Sequence, residues 1–428
     1  MGEQPFTVGD TLGEASADGR FEDAAQRVST HEPRGDVPNL SGPTEAVSRG
    51  QRVAHLSSAH PAGDSRILEK ECESLAAAGY EVHLLAQDDP GARSNTVNIR
   101  PLQRRSSRGR RMVMSPWIVY RQAVKLDCRV YHFHDPELIG VGLTLQLLHR
   151  KKVVYDVHED LPRQILGKAW LPRWLRRPIA GISELIEVSA ARAFSAIVAT
   201  TPTIAKRFPA SKTVLVRNYP RLQGSWPPAP FGAPDLSNGS ATSTIIYVGS
   251  AISRDRGALE MVQATDLARL VHPDVRLVLG GRFLPESLEE ELSGEPGWAA
   301  VRYLGWLDRP TMQSLYATSD VGLIIEHPLV NHLDAYPIKL FEYMAAGIPV
   351  VVSDFPLWRE IVESTGCGLL VDPLDAEDVS AAIVTLLANP SMARAMGERG
   401  RAAIGARMNW EGEARALVAL YDRLMCDA

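Results

Sequence analysis

Two series of short apolar runs, separated within each series by helix-length stretches, leave this chain few possible folds. The first series falls at residues 53–56, 80–86, 129–134, 152–156, 196–200 and 213–217. The second falls at 244–249, 275–280, 300–305, 321–325, 350–352 and 368–371. Runs this short and this apolar read as strands buried on both faces, and the stretches between them as the crossover helices that parallel strands require. One such helix is expected from about residue 66 to 78, closed by Gly79. Between the two series, residues 221–243 turn to Pro, Gly, Ser and Asn, a linker composition. The expected organisation is α/β: a basic domain at 49–222, a linker at 223–243 and a second domain at 244–428, its last helix packing back towards the first domain. Residues 1–48, rich in Gly, Ser, Pro, Asp and Glu, read as a disordered acidic tail.

Composition agrees with two domains, since 428 residues with 45% hydrophobic content exceed one core. No apolar run reaches the ~18 residues needed to span a bilayer. The acidic N-terminus has neither the basic start nor the apolar centre of a secretory signal. Cys72, Cys128, Cys367 and Cys426 are scattered without CxxC spacing, so they read as reduced thiols in a cytosolic protein. The net charge of −5 conceals +13 over residues 49–222 and −12 over 223–428. The basic half is expected to meet anions, phosphate or an anionic membrane surface among them. Neither first strand is followed by GxGxxG and no P-loop is present, which argues against a dinucleotide cofactor.

The most informative local motif is Pro337-Ile-Lys339-Leu-Phe-Glu342-Tyr-Met-Ala-Ala-Gly347-Ile-Pro-Val-Val-Val-Ser353. It reads as a loop, a short helix opened by Pro337 at its first position and closed by Gly347, then a buried strand. The free N–H groups and positive dipole of a helix start suit phosphate. Lys339 adds a charge there, and Glu342, one turn on, can accept hydrogen bonds from sugar hydroxyls.

The segment 337–363 resembles the donor-binding signature of retaining glycosyltransferases of family four, which have the GT-B fold. It is closest to the bacterial polysaccharide-assembly type, and similar matches recur from about residue 53 onward. The resemblance implies two Rossmann-like parallel-sheet domains facing across a cleft. It also implies transfer of a hexosyl or N-acetylhexosaminyl unit from a nucleotide-diphosphate sugar, with retention; the cationic helix start and the lack of a persuasive paired-acid site make metal-independent transfer the expectation. The acceptor would be lipid-linked or a glycan, in cell-surface polysaccharide or glycolipid synthesis, by a protein peripheral on the cytoplasmic face of the plasma membrane. The nucleotide sugar is then a co-substrate, no cofactor is implied and no nucleic-acid partner is expected. A sugar-nucleotide epimerase of the same fold and a non-catalytic glycan-assembly partner are the alternatives.

Residue by residue, Gly249 and Arg256 match the family's phosphate loop, with Arg254 a second candidate; Ser250 stands where the family has Arg. Backbone amides near Tyr336, Pro337 and Ile338 would face the phosphates beside Lys339 and Glu342. The family's two acids are eight positions apart, which places the first at Asp334, with Asn331 as a substitute. His134, in His132-Phe-His134-Asp135-Pro136-Glu137, matches the active-site histidine, and His158 is the runner-up. Asp64 and Arg66 match an acceptor-side pair. Asp135 and Glu137 could pass for a metal pair, but at the start of a helix they read as capping groups. Finally, residues 170–180 read as a basic helix with Trp170 and Trp174 as membrane anchors, supported by the arginines of 100–111.

Overall fold

The computed structural model describes residues 50–103, 108–168, 171–222 and 243–426. The 1–48 tail, linker residues 223–242, Arg104, Arg105 and Trp170 lie outside them, as do the side chains of Arg108, Arg110, Arg111 and Asn331. The first sheet comprises β1 (Arg52–Pro61), β2 (Glu81–Gln87), β3 (Val97–Leu102), β4 (Val130–Phe133), β5 (Lys152–Val157), β6 (Ala196–Ala199) and β7 (Thr213–Leu215). The second comprises β8 (Thr244–Ile252), β9 (Arg276–Phe283), β10 (Val301–Tyr303), β11 (Val321–Ile324), β12 (Val350–Ser353) and β13 (Gly368–Val371). Neighbouring strands pair in parallel throughout both sheets.

The strand orders are β3-β2-β1-β4-β5-β6-β7 and β10-β9-β8-β11-β12-β13. Each reverses once, between β1 and β4 and between β8 and β11. At such a switch point the outgoing loops diverge and leave a crevice at the carboxyl ends of the strands. Two crevices therefore supply the walls of one cleft.

Strand β3 is absent from the apolar runs because it is an edge strand. Its sequence, Val-Asn-Ile-Arg-Pro-Leu, buries only Val97 and Leu102, and Pro101 is tolerated at an edge. The helix expected from residue 66 instead opens as a π-helix, Ser65–Cys72, before continuing as Glu73–Ala77. The Asp64 carboxylate accepts from the Arg66 and Ile67 amides at 2.9 and 3.0 Å and fixes that start.

Alternation along the strands decides what each face of the first sheet holds. Ala54, Leu56, Tyr131, Phe133, Val153 and Tyr155 pack under the helices Arg108–Leu126, Ile139–Leu147 and Arg173–Ala193. Val53, Val130 and Val154 face the other way, against Leu68, Leu75 and the last helix, Trp410–Cys426. That helix thus covers the first sheet with Trp410, Leu417, Leu420, Tyr421 and Leu424. His55, His132, His134 and Asp156 have the same parity as Val53, Val130 and Val154, so they lie beneath it. In the second domain Gly257, at φ +72°, turns the chain from β8 into the helix Ala258–Arg269. A Cβ there would stand 1.9 Å from the Ile325 carbonyl oxygen, so only glycine fits. Among the described residues, no helix is long and apolar enough to cross a membrane.

Candidate active site

The cleft has a volume of about 720 Å³ and is lined from both domains, within the range of small-molecule sites. Its second-domain wall centres on the helix Ile338–Ala346. Pro337 is the residue before the first helical position, not the first position itself, and Gly347 at φ +77° ends the helix. The first N–H groups of this helix have no partner within it and point towards the cleft with the dipole.

Lys339 Nζ lies 3.0 Å from Glu326 Oε1 and 4.7 Å from the centre of the Tyr247 ring. Burial works against its charge, but Tyr247 and Glu326 outweigh burial and hold its pKa above the usual lysine value. Arg256 is likewise held in the charged state against burial by Tyr247 and Glu326. Two cations thus stand beside the helix start, Lys339 paired with Glu326 and Arg256 within the field of the same carboxylate. Burial pushes the Glu342 carboxyl above its ordinary range, while the Tyr316 hydroxyl, donating to it at 3.2 Å, works the other way. Gly249, Ser250, Gly280 and Gly281 bring backbone to the same wall, and Trp306, Leu307 and Met312 add its apolar part. Gly281 has φ +142°, and a Cβ there would lie 2.3 Å from the Gly249 oxygen.

The first-domain wall carries His60, Asp64, His158, Glu159, Asp160 and Arg163. His158 Nε2 is 3.1 Å from His60 Nε2. His60 in turn lies 3.4 Å from Asp64 and 3.5 Å from Asp135. Burial lowers the His60 pKa, but the hydrogen bond to Asp64 and the charges of Asp135, Asp64 and Glu159 prevail and raise it to about 8. The same contact helps to hold Asp64 at about 2, against burial. His158, by contrast, is lowered by burial, only partly offset by Asp156.

Beneath this wall runs a fully buried polar row. His134 Nδ1 lies 3.0 Å from Asp156 Oδ2, His134 Nε2 3.0 Å from His55 Nδ1, His55 Nε2 3.1 Å from the Tyr421 hydroxyl, and that hydroxyl 2.9 Å from His132 Nδ1. Arg66 bonds Asp156 through two nitrogens at 3.3 and 3.1 Å and lies 3.0 Å from Glu71. Burial would raise Asp156, but Arg66 and His134 keep it ionised; burial and the Asp156 charge push Glu71 well above the carboxylate range. Among the described residues, Glu71, His132, His134 and Asp156 are the one group of metal-binding types that converges, with candidate atoms within 4.8 Å. Arg66 already supplies the positive charge there, and both nitrogens of His134 are engaged.

The structure brings Gly249, Arg256, Tyr336, Pro337, Ile338, Lys339 and Glu342 together on one wall and Asp64 and His158 on the other. His134 is not at the cleft surface: its strand parity sends it under the last helix, and His158, two residues beyond Asp156, occupies the lining. Arg66 touches the lining but spends its guanidinium on Asp156, Glu71 and the Val216 carbonyl, so its role is interior. Arg254 is turned away into an ion pair with Glu291 and does not line the cleft. Asp334 reaches across the cleft, paired with Arg163 and accepting from Thr203 Oγ1 at 3.1 Å. Asp135 does not cap the turn that it precedes; its Oδ2 accepts from the Ser57 hydroxyl at 2.8 Å and the Ser58 amide at 2.6 Å. Glu137 accepts from Ser58 Oγ at 3.0 Å, so both acids fasten the second half of β1. Sequence reasoning passed over His60, Arg163, Trp306 and Glu326. The strand-end rule, applied to every strand, would have found His60 and Glu326.

Comparison with known proteins agrees with this geometry. The family model described as Glycosyltransferase Family 4 matches residues 63–213, and that for glycosyl transferases group 1 matches residues 237–403. The MMP α-(1→4)-mannosyltransferase of Mycolicibacterium hassiacum is 24% identical over 304 residues, 68% of this chain and 70% of that one. The phosphatidyl-myo-inositol mannosyltransferase of Mycobacterium leprae is 23% identical over 322 residues, 73% and 79% of the two chains. Among solved structures, sucrose-phosphate synthase from Thermosynechococcus elongatus aligns with a TM-score of 0.71 at 21% identity, covering 88% of this chain and all of that one. Anabaena HepE in complex with UDP-glucose aligns with a TM-score of 0.66 at 14% identity, covering 87% and 99%. With a family model on each domain and two facing parallel sheets, the chain belongs to glycosyltransferase family 4 and has the GT-B fold.

Proposed function

We propose that the protein moves a hexosyl or N-acetylhexosaminyl unit from a nucleotide-diphosphate donor to a lipid-linked or glycan acceptor, with retention and without a metal. One observation carries this reading: a helix start, Lys339 and Arg256 converge on the cleft, one turn from Glu342. Fixed donors and cations aimed at a departing diphosphate stabilise the charge that develops on it, the work a metal does elsewhere. Glu342 is placed to accept from hydroxyls of the nucleotide ribose or the sugar, and Trp306 offers a face to the base. On the opposite wall His158 takes the role that the sequence assigned to His134. Asp64 and His60 flank the acceptor, and Asp334 ties the cleft mouth through Arg163. That HepE is seen with UDP-glucose and that relatives are mannosyltransferases supports a nucleotide-sugar donor.

The acceptor reading draws on the helix Arg173–Ala193, which exposes Trp174, Ile182, Leu185 and Ile186 on its outer side next to exposed Arg173 and Arg177. Apolar side chains flanked by arginines fit the interface of an anionic membrane, here the cytoplasmic face of the plasma membrane in cell-surface glycolipid or polysaccharide synthesis. The test is a panel of UDP- and GDP-sugars scored by thermal stabilisation, then transfer by the stabilising donor with and without EDTA. Stabilisation by a nucleotide sugar and transfer that survives EDTA are expected. Loss of transfer on chelation, restored by Mg²⁺ or Mn²⁺, would refute metal independence alone; no stabilisation by any donor would refute the donor site.

A further inference from the structure

The buried row beneath the first-domain wall has a direction, and it ends at Asp156, beside His158. Asp156 is a carboxylate and only accepts, so His134 donates to it from Nδ1. His134 Nε2 is then the acceptor for His55 Nδ1–H, and His55 accepts at Nε2 from the Tyr421 hydroxyl. The Tyr421 oxygen accepts from His132 Nδ1–H. This leaves the His132 Nε2 lone pair at the end of the row, and that atom is one that lacks a hydrogen-bond partner. The pattern closes without conflict with every histidine in the Nδ1–H form.

His158 fits the same pattern from the cleft side. Its Nδ1 is buried without a hydrogen-bond partner and lies 3.8 Å from Asp156 Oδ2. Its Nε2 faces His60 Nε2 at 3.1 Å. His60, between the carboxylates of Asp64 and Asp135, is the natural donor in that pair.

We propose that Asp156 and His60 are positioning residues that hold His158 as the Nδ1–H tautomer, with its Nε2 lone pair presented to the cleft, and that the row Tyr421–His55–His134 fixes Asp156 for this task. This rests on the glycosyl-transfer reading for its consequence. When substrate enters, one of its hydroxyls replaces His60 as the donor to His158 Nε2, and the Nδ1–H contact to Asp156 shortens as catalytic contacts do on closure. The last helix thereby joins the site: Tyr421 comes from Trp410–Cys426, far along the chain from every other member of the row.

The test has two arms. In the first, ¹⁵N-histidine spectra of the full chain at neutral pH, with the His158 signals assigned by loss in His158→Gln, report the tautomer without any turnover. A protonated Nδ1 and bare Nε2 are expected; an Nε2–H tautomer or a doubly protonated ring at His158 overturns the proposal. The second arm compares Asp156→Asn and the milder Tyr421→Phe with wild type, alone and in the His158→Gln background. Asp156→Asn should lower kcat on the order of 10²-fold with donor KM unchanged, Tyr421→Phe by less, and neither should lower it further once His158 is gone. Equal losses in both backgrounds mean that the row is merely structural and overturn the proposal. If no donor and acceptor pair gives turnover, the transfer reading fails while the tautomer result still decides the positioning claim.

Discussion

The two walls of the cleft stand on the same kind of sheet edge and differ in what lies behind them. The donor wall takes Ile338, Lys339 and Glu342 from one nine-residue helix, backed by the apolar cluster of Leu340, Phe341, Tyr343 and Met344. The acceptor wall is assembled from the loops after β1, β5 and β6, and behind it lies a polar interior of three histidines, two acids and an arginine. A wall made by one helix inherits its geometry from local hydrogen bonds. A wall assembled from separate strands needs a fixed interior, and buried polar networks fix geometry at the risk of large losses when one member is removed. Substitutions on the donor wall should therefore act locally, and those on the acceptor wall should spread.

The sharpest separation is between His158 and His134. Replacing His158 by Gln should lower kcat by about 10²-fold or more with little change in thermal stability, because its ring lies at the cleft. Replacing His134 by Ala should first cost stability, about 3 kcal/mol, because the buried Asp156 loses a charged hydrogen bond. Urea unfolding and steady-state kinetics on both variants check this. Equal destabilisation by the two would erase the distinction between surface and interior.

On the other wall, Glu342→Ala should weaken donor binding by about 1–3 kcal/mol, the usual cost of a charged hydrogen bond, and leave the unfolding midpoint nearly unchanged. Calorimetric titration with the stabilising nucleotide sugar measures it. An unaltered affinity in a folded variant would remove Glu342 from the site.

The same contrast governs what the sequence could reveal. The donor wall was legible because Pro337-x-Lys339-x-x-Glu342 and Gly347 fall within one helix, where spacing alone puts side chains on one face. The strands were legible wherever both faces were buried; β3 escaped because only Val97 and Leu102 of its six residues are buried. For the acceptor wall, sequence position brought His134 and His158 equally to strand ends. The choice between them depends on which sheet face Trp410–Cys426 covers, a contact more than 250 residues away in sequence. Arg254 and Arg256 posed the same problem on a smaller scale, since a single 3₁₀ turn sends one to Glu291 and the other to the cleft.

A third way to sharpen the comparison is pH. His60 has a folded pKa of about 8 against an ordinary 6.5. A raised pKa means that its contribution is complete below about pH 6.5 and is lost as pH rises through 8. A shift of about 1.5 units corresponds to about 2 kcal/mol; the matching depression of Asp64 is the same contact and is counted once. Asp64, Asp135, Glu159 and His158 are the charged and titratable groups that face it. His60→Gln should cost about 2 kcal/mol at pH 6 and close to nothing at pH 9, read from urea midpoints at the two values. A cost independent of pH would show that His60 packs there without carrying charge.

The smallest effects belong to the outer surface of the first domain, which the proposed function makes the acceptor's route to the cleft. The helix Arg173–Ala193 packs against Leu161–Gly167, which bears Arg163 and Gln164 on the cleft lining, and on the proposed reading this pair of helices links the membrane to the cleft. Each basic residue near an anionic surface contributes about 1 kcal/mol, screened within a Debye length of about 10 Å at 0.1 M salt. Arg173→Glu and Arg177→Glu should therefore each reduce binding to phosphatidylserine vesicles several-fold at low salt and have little effect at high salt. Trp174→Ala and Leu185→Ser should do the reverse, reducing the binding that salt does not remove, because the two residues are 76% and 67% exposed and lie on the proposed membrane side. Sedimentation with anionic and neutral vesicles at two salt concentrations separates the two contributions. Equal binding to both vesicle types, or none to either, would remove the membrane from the acceptor's route and leave the chemistry of the cleft as it stands.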